Sequence, residues 1–247
     1  MRELFGDGFQ TKYSRMTKKL IFDELDKYFH DVEQETEQKE EKNRYYLWTE
    51  WYSNWIDLFK WFDIFLGSSQ FDSILFNRLL ELQKHLLWIC KCVHSGAYHI
   101  AIRELRFIFE SFVQAYYIDK EHPNTNLECK LEIIKEIDKL IFGSKLIEST
   151  DLKNKNELKK LYSELCKYVH ASHEELQQIS HSKIIFTYDR ELFDKCYIFT
   201  NKVMDTIIFI LMSSEKRMIK KIQEDKLMIL FLKETHCELS LKLLNKI

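Results

Sequence analysis

AYHIAIRELRFIFESFVQAYYID, residues 97–119, decides how this chain folds. At about 100° per residue, His99, Arg103, Arg106, Glu110, Gln114 and Tyr117 fall within about 60° of one another. Most of the remaining circumference is Ile, Leu, Phe, Val, Ala and Tyr. A helix that is apolar on most faces belongs inside a bundle. Its two arginines and its glutamate must then pair or face a cleft, because a buried charge without a partner is costly.

The flanking sequence gives the same architecture. Among 247 residues there are one Pro and five Gly, against many Lys, Glu, Ile, Leu and Phe. Few breakers and many helix formers predict an all-α, multi-helix bundle. Helices are expected over about 70–94, from 97 to about His122-Pro123, and over about 126–142. A further one starts near Asp151, and another follows Asp189 as its cap and carries RELFDKCYIFTNKVMDTIIFILMSSEK. Gly67, Gly96 and Gly143 each stand where an apolar period ends. The amphipathic stretch from about 214 to 247 either continues the long helix or forms its own. KIIFTYD, 183–189, breaks the helical period and reads as extended.

Ahead of these lies a helix starting near Ser14 or Thr17, then the charged run EQETEQKEEKNR. An aromatic helix over about 44–66 follows, with Tyr45, Trp48, Trp51, Tyr52, Trp55, Phe59, Trp61, Phe62 and Phe65. The expected division is an N-terminal helical extension over 1–67 and a bundle with a long C-terminal helix over 68–247. The aromatic belt at 45–65 reads as core packing or as an interface, with a second copy or another protein as partner.

The formal net charge of -2 gives no global attraction to nucleic acid or an anionic membrane, so RNA binding would need a local patch. Lys216, Arg217, Lys220 and Lys221 form one basic cluster, read as a solvated face or as phosphate contacts. No leader pattern and no run of eighteen apolar residues is present, and the six cysteines lack C-x-x-C spacing. The expectation is a cytoplasmic chain, off the membrane, with reduced thiols. Cys90, Cys92, His94 and His99 do not make a zinc set, because positions i and i+2 of a helix point apart. No cofactor and no metal is implied. A Gly-rich phosphate loop, a G-x-S-x-G elbow and an H-E-x-x-H pair are also missing from the sequence.

Two polar groups remain as candidate chemistry. Arg106 and Glu110, four apart, can pair, with Arg103 a turn back; they are either an internal ion-pair network or an anion-holding cleft. If that pair is buried, Glu110→Ala costs roughly 3–5 kcal/mol. In KYVHASHEE, 167–175, a helical reading puts Ser163, Lys167, His170 and Glu174 on one face, opposite Leu158, Leu165, Val169 and Leu176. That face is either plain solvated surface or, with His173 nearby, a proton-transfer and charge-stabilising set suited to RNA cleavage.

AIRELRFIFESFVQAYYID followed by LYSELCKYVHASHEEL resembles prokaryotic proteins related to the HEPN superfamily. The resemblance rests on an R-x-x-x-E helix, Arg106 to Glu110, and on a Y-x-x-L-x-x-x-V-H pattern, Tyr162, Leu165, Val169 and His170. It covers about 70–212. It implies an antiparallel helical bundle that dimerises and acts on RNA, either as a metal-independent ribonuclease of a defence or toxin system or as a non-catalytic RNA-binding relative. The family's catalytic motif is an arginine, four to six residues, then a histidine, with two copies meeting at the dimer interface. For His170 that arginine would fall at 163–165, where this chain has Ser163, Glu164 and Leu165. Lys167 to His173 keeps the gap with lysine. Arg78 to His85 keeps it with arginine, on a helix without the rest of the pattern. The implied roles are His170 as general acid or base, Arg106 and Arg103 on the phosphate, Glu110 orienting them, and Lys167 and His173 as supporting donors. A non-enzymatic dimeric interaction or scaffold module is the other reading.

Overall fold

The structure, a computed structural model, describes residues 72–140, 143–168 and 188–245, the stretch 50–59, and positions 23, 26, 27, 30, 31, 33, 34 and 62. The expected first helix start, the Gly67 stop, the extended reading of 183–187, and the candidates His170 and His173 lie outside the described residues.

The protein is an all-α multi-helix bundle. Among the described residues, beyond the helical positions between 23 and 34 and the helical stretch at 50–59, the helices are α1 (Ile74–His94), α2 (Tyr98–Glu121), α3 (Leu127–Leu140), α4 (Ser144–Ser149) and α5 (Lys155–Cys166). After the undescribed segment come α6 (Arg190–Ser214), α7 (Lys216–Glu224), α8 (Lys226–Glu234) and α9 (Glu238–Leu244). The 97–119 reading holds: α2 packs against α1, α4, α5 and α6, and buries Ala101, Leu105, Ile108, Phe109, Phe112 and Val113. The other central helix is α6, which packs against α1, α2, α5, α7 and α9. It is long and apolar enough to cross a membrane, yet 78% of its apolar window is buried inside the fold. That is the condition of a bundle's core helix.

Local chemistry sets the boundaries. Ser73 caps α1 by accepting from the Phe76 amide, and Asp189 caps α6 by accepting from the Leu192 amide, as its position predicted. Gly96 turns α1 into α2 with φ +72°, a conformation that costs glycine little. Two boundaries differ from expectation. The polar loop after 142 contains the short helix α4. The stretch after 214 is three helices, because Glu215 and Asp225 accept from their own first-turn amides and restart the chain. His236, at φ +55°, then turns it into α9.

Two carboxylates lock helix ends to the bundle. Asp119, near the end of α2, accepts from the Ile74 and Leu75 amides and from Ser73 Oγ at the start of α1. Lys130 of α3, only 3% exposed, donates to the same carboxylate at 2.9 Å and to the Asp72 carbonyl at 2.8 Å. Asp205 of α6 does the equivalent for α9, accepting from the Leu239 and Ser240 amides and from Ser240 Oγ. Burial raises the Asp205 pKa, and these hydrogen bonds oppose the shift.

The described part of the aromatic stretch packs within its own chain. Tyr52, Trp55, Leu58, Phe59 and Phe62 are buried. The Tyr52 hydroxyl lies 3.4 Å from Thr200 Oγ1, and the Trp55 ring meets Phe231 edge-on at 4.9 Å. These rings therefore belong to the core alternative of the belt reading.

Candidate functional site

The α2 stripe meets α5. Arg106 Nη2 donates to Glu110 Oε1 at 3.2 Å and to the Tyr162 hydroxyl at 3.1 Å, and the guanidinium carbon stands 5.4 Å from the Tyr162 ring centre. The two pieces that carried the family resemblance therefore touch through Arg106 and Tyr162. Glu110 is 30% exposed on its side chain, so the pair is half-buried at the edge of the bundle. The burial behind the 3–5 kcal/mol expectation is not met, and the cost falls toward that of a partly solvated pair.

Tyr162 is itself constrained. Its ring stacks on Phe109 at 6.2 Å, and a Cβ on Gly143 would come within 2.7 Å of its hydroxyl. Burial, the Cys166 thiol and Glu110 hold the phenol above its ordinary range, while Arg106 pulls the other way. The phenol is therefore neutral at physiological pH. For Arg106, burial lowers the pKa, but Tyr162 and Glu110 outweigh it, and the net shift is upward. Arg106 Nε is buried and has no hydrogen-bond partner among the described residues. With Nη2 shared between two acceptors, this arginine ties helices together more than it presents a fork to solvent.

Arg103 differs. It is exposed, and its Nε donates to the Tyr168 carbonyl at 3.4 Å. Tyr168 also lies beside His99, with ring centres 5.9 Å apart. Helix α5 ends at Cys166, and Lys167–Tyr168 form a turn, with Lys167 exposed. Of the face expected from Ser163 to Glu174, Ser163 lies on α5 and Lys167 on the turn after it, while His170 and Glu174 lie outside the described residues. Arg106, Glu110 and Tyr162 form one cluster, with Arg103 and the turn at 167–168 meeting further along α2.

A second polar pair lies on the neighbouring face. His85 Nδ1 of α1 is paired with Glu104 Oε1 of α2 at 2.5 Å, both side chains about a quarter exposed. The carboxylate fixes the ring and leaves Nε2 directed away from it. Phe107 covers the imidazole, with ring centres 5.6 Å apart. Arg78, seven residues before His85 and so on the same side of α1, pairs with Glu81 at 3.1 Å. On this side Trp88, three residues on from His85, and Ile100 and Phe107 of α2 stand exposed, Trp88 by 50%, whereas the exposed Leu80 and Leu87 lie roughly 140–160° round α1 from His85. On α2, Ile100, Arg103, Glu104 and Phe107 are three or four residues apart and share that face. Sequence reasoning found the Arg78–His85 spacing but not Glu104, whose proximity depends on how α1 and α2 pack.

The cysteines are thiols. Burial pushes Cys90 up to about 11, and burial together with Glu104 pushes Cys92 up to about 12. Cys90 Sγ lies 4.0 Å from His94 Nε2, one helical turn on. Among the described residues no group of three or more His, Cys, Asp or Glu could hold a metal ion.

In comparisons with protein-family models, curated proteins and solved structures, nothing matches this chain.

Proposed function

We propose that the chain is an RNA-directed protein of the HEPN type that works as a pair of copies meeting on the exposed α1–α2 face. One observation carries the reading: a histidine oriented by a carboxylate, His85–Glu104, has exposed Trp88, Ile100 and Phe107 on its side of the helix pair, with Arg78 seven residues back on α1 and Arg103 next to Glu104 on α2. Arg78 and His85 keep the arginine-to-histidine gap that the resemblance implies for a catalytic motif. A face bearing Trp88, Ile100 and Phe107 suits burial against a second copy.

In the catalytic form of this reading, the 2′-oxygen of a ribose attacks the adjacent phosphorus as the bond to the 5′-oxygen breaks. A histidine takes the 2′-hydroxyl proton or delivers one to the departing oxygen. Arg103 and Arg78 balance charge on the non-bridging oxygens. His85 is the described candidate for the histidine, and His170 is the one that the Y-x-x-L-x-x-x-V-H pattern implies. Lys167 and His173 are supporting donors in the His170 version. Arg106 and Glu110 hold α2 to α5 rather than contact phosphate.

The second reading, a non-enzymatic dimeric interaction module, draws on the same exposed apolar side chains and on Arg106 being spent on internal ties. The separating experiment uses a single-stranded RNA in EDTA with wild type, His85→Ala and His170→Ala. Cleavage lost in His85→Ala assigns the α1 motif, and cleavage lost only in His170→Ala assigns the other. Binding without cleavage identifies the non-catalytic relative. Neither binding nor cleavage removes the RNA reading and leaves the interaction module.

A further inference from the structure

Two cavities flank α6, and their electrostatics differ. One, of about 440 Å³, lies between α5, α6 and α9, and carboxylates balance its lysines: Lys202 pairs with Glu164 at 3.1 Å and Lys242 with Glu238 at 3.6 Å, and Lys160 shares the lining with Glu157 and Asp205. The other, of about 510 Å³, is bounded by the end of α2, the loop at 151–153, α6 and α7. Four lysines line it: Lys120, Lys153, Lys216 and Lys220. Its one carboxylate, Asp151, is already engaged, accepting from the Tyr116 hydroxyl at 2.6 Å and pairing with Lys120 at 3.0 Å. Those two partners also hold Asp151 below the ordinary carboxylate range, so it stays ionised at neutral pH. Lys153, Lys216 and Lys220 have no ion pair or hydrogen bond among the described residues.

We propose that this second cavity binds a small amphiphile with a phosphate head and an aliphatic body. The size is that of an ordinary small-molecule site. Lys216 and Lys220 are one turn apart on α7 and point to the same side, while Lys120 and Lys153 come from the opposite wall. Lysines carried by separate elements around one cavity can bring point charges to a multiply charged, tetrahedral head, where a flat carboxylate would favour an arginine fork. Left without an anion, four lysines against one carboxylate repel one another. The wall below the rim is Leu152, Met212, Ile219 and Leu243. Its aromatic members Phe209 and Tyr116 are almost fully buried and offer no open ring face for a base to stack on. The body is therefore aliphatic. Lys120 lies seventeen residues beyond Arg103, about 25 Å along α2, so this site is separate from the α1–α2 face.

The basic cluster at 216–221 was visible in the sequence, and the structure divides it. Arg217 is engaged by Glu215 through two contacts of 3.0 and 2.9 Å, whereas Lys216 and Lys220 line the cavity.

The test is calorimetric titration of the full chain with octyl phosphate below its aggregation concentration, with AMP and with inorganic phosphate. Octyl phosphate should bind one per chain, about tenfold or more tighter than either of the others, and should weaken as salt is added. The double variant Lys216→Glu, Lys220→Glu should weaken it by at least about tenfold, while His85→Ala leaves it unchanged. Both positions are exposed, so the fold should survive the change; a circular-dichroism melt checks this. Octyl phosphate binding no tighter than inorganic phosphate, AMP binding as well or better, or a double variant that binds like wild type would each overturn the proposal.

Discussion

Asp119→Ala should be among the most damaging single substitutions in this protein. The carboxylate accepts from Ser73 Oγ and from the Ile74 and Leu75 amides, and it holds the Lys130 ammonium, which is 3% exposed. Removing it strands a buried cation, at roughly 3–5 kcal/mol. It also uncaps the first turn of α1, worth about 1 kcal/mol. The sum, about 4–6 kcal/mol, is a large share of a typical domain's stability. Lys130→Met should cost less, because the carboxylate keeps its three donors from α1. The double variant Asp119→Ala, Lys130→Met should recover about 2 kcal/mol or more relative to the sum of the singles, since no buried charge is then left alone. Urea unfolding with a shared m-value measures all four corners of this cycle. An Asp119→Ala variant within 1 kcal/mol of wild type, or additive singles, would refute the reasoning.

Three other perturbations have definite expected outcomes. Gly143→Ala should destabilise by about 2 kcal/mol, through strain at φ +62° and contact with Tyr162, and Tyr162→Phe should relieve part of that in a double variant, read by urea unfolding. Burial holds His94 at about 4 against 6.5 for the free side chain, so the unfolded chain binds the extra proton first as pH falls. The stability from the neutral ring is complete above about pH 6.5 and is lost toward pH 4, at most about 3 kcal/mol; His94→Leu should flatten that part of the urea-midpoint profile. Glu110→Ala should cost only about 1 kcal/mol, because Arg106 keeps the Tyr162 hydroxyl and solvent reaches the pair; a loss above 3 kcal/mol would restore the buried-pair reading.

The long helices were legible because one physical signal decides them. α2 and α6 are apolar around most of their circumference, and α1 runs to a glycine that can take a positive φ. Short helices depend on caps instead. Glu215 and Asp225 read as ordinary charges in an amphipathic run until their carboxylates are seen on the next amides. α4 has six residues and too little periodicity to stand out. In the candidate site, the pairing of Arg106 with Glu110 follows from four-residue spacing on one helix. Tyr162, Glu104 and the Asp119–Lys130 lock could not be read that way, since their partners come from other helices and register between helices is set by packing.

The central claim is that the α1–α2 face acts on RNA, and the most direct measurement is cleavage of a labelled single-stranded RNA in EDTA by wild type and His85→Ala at matched folded concentration. The expected result is either metal-independent cleavage by wild type that falls at least a hundredfold in His85→Ala, or tight RNA binding without cleavage that weakens on Arg103→Ala. Wild-type protein that neither cuts nor retains RNA at low salt would contradict it.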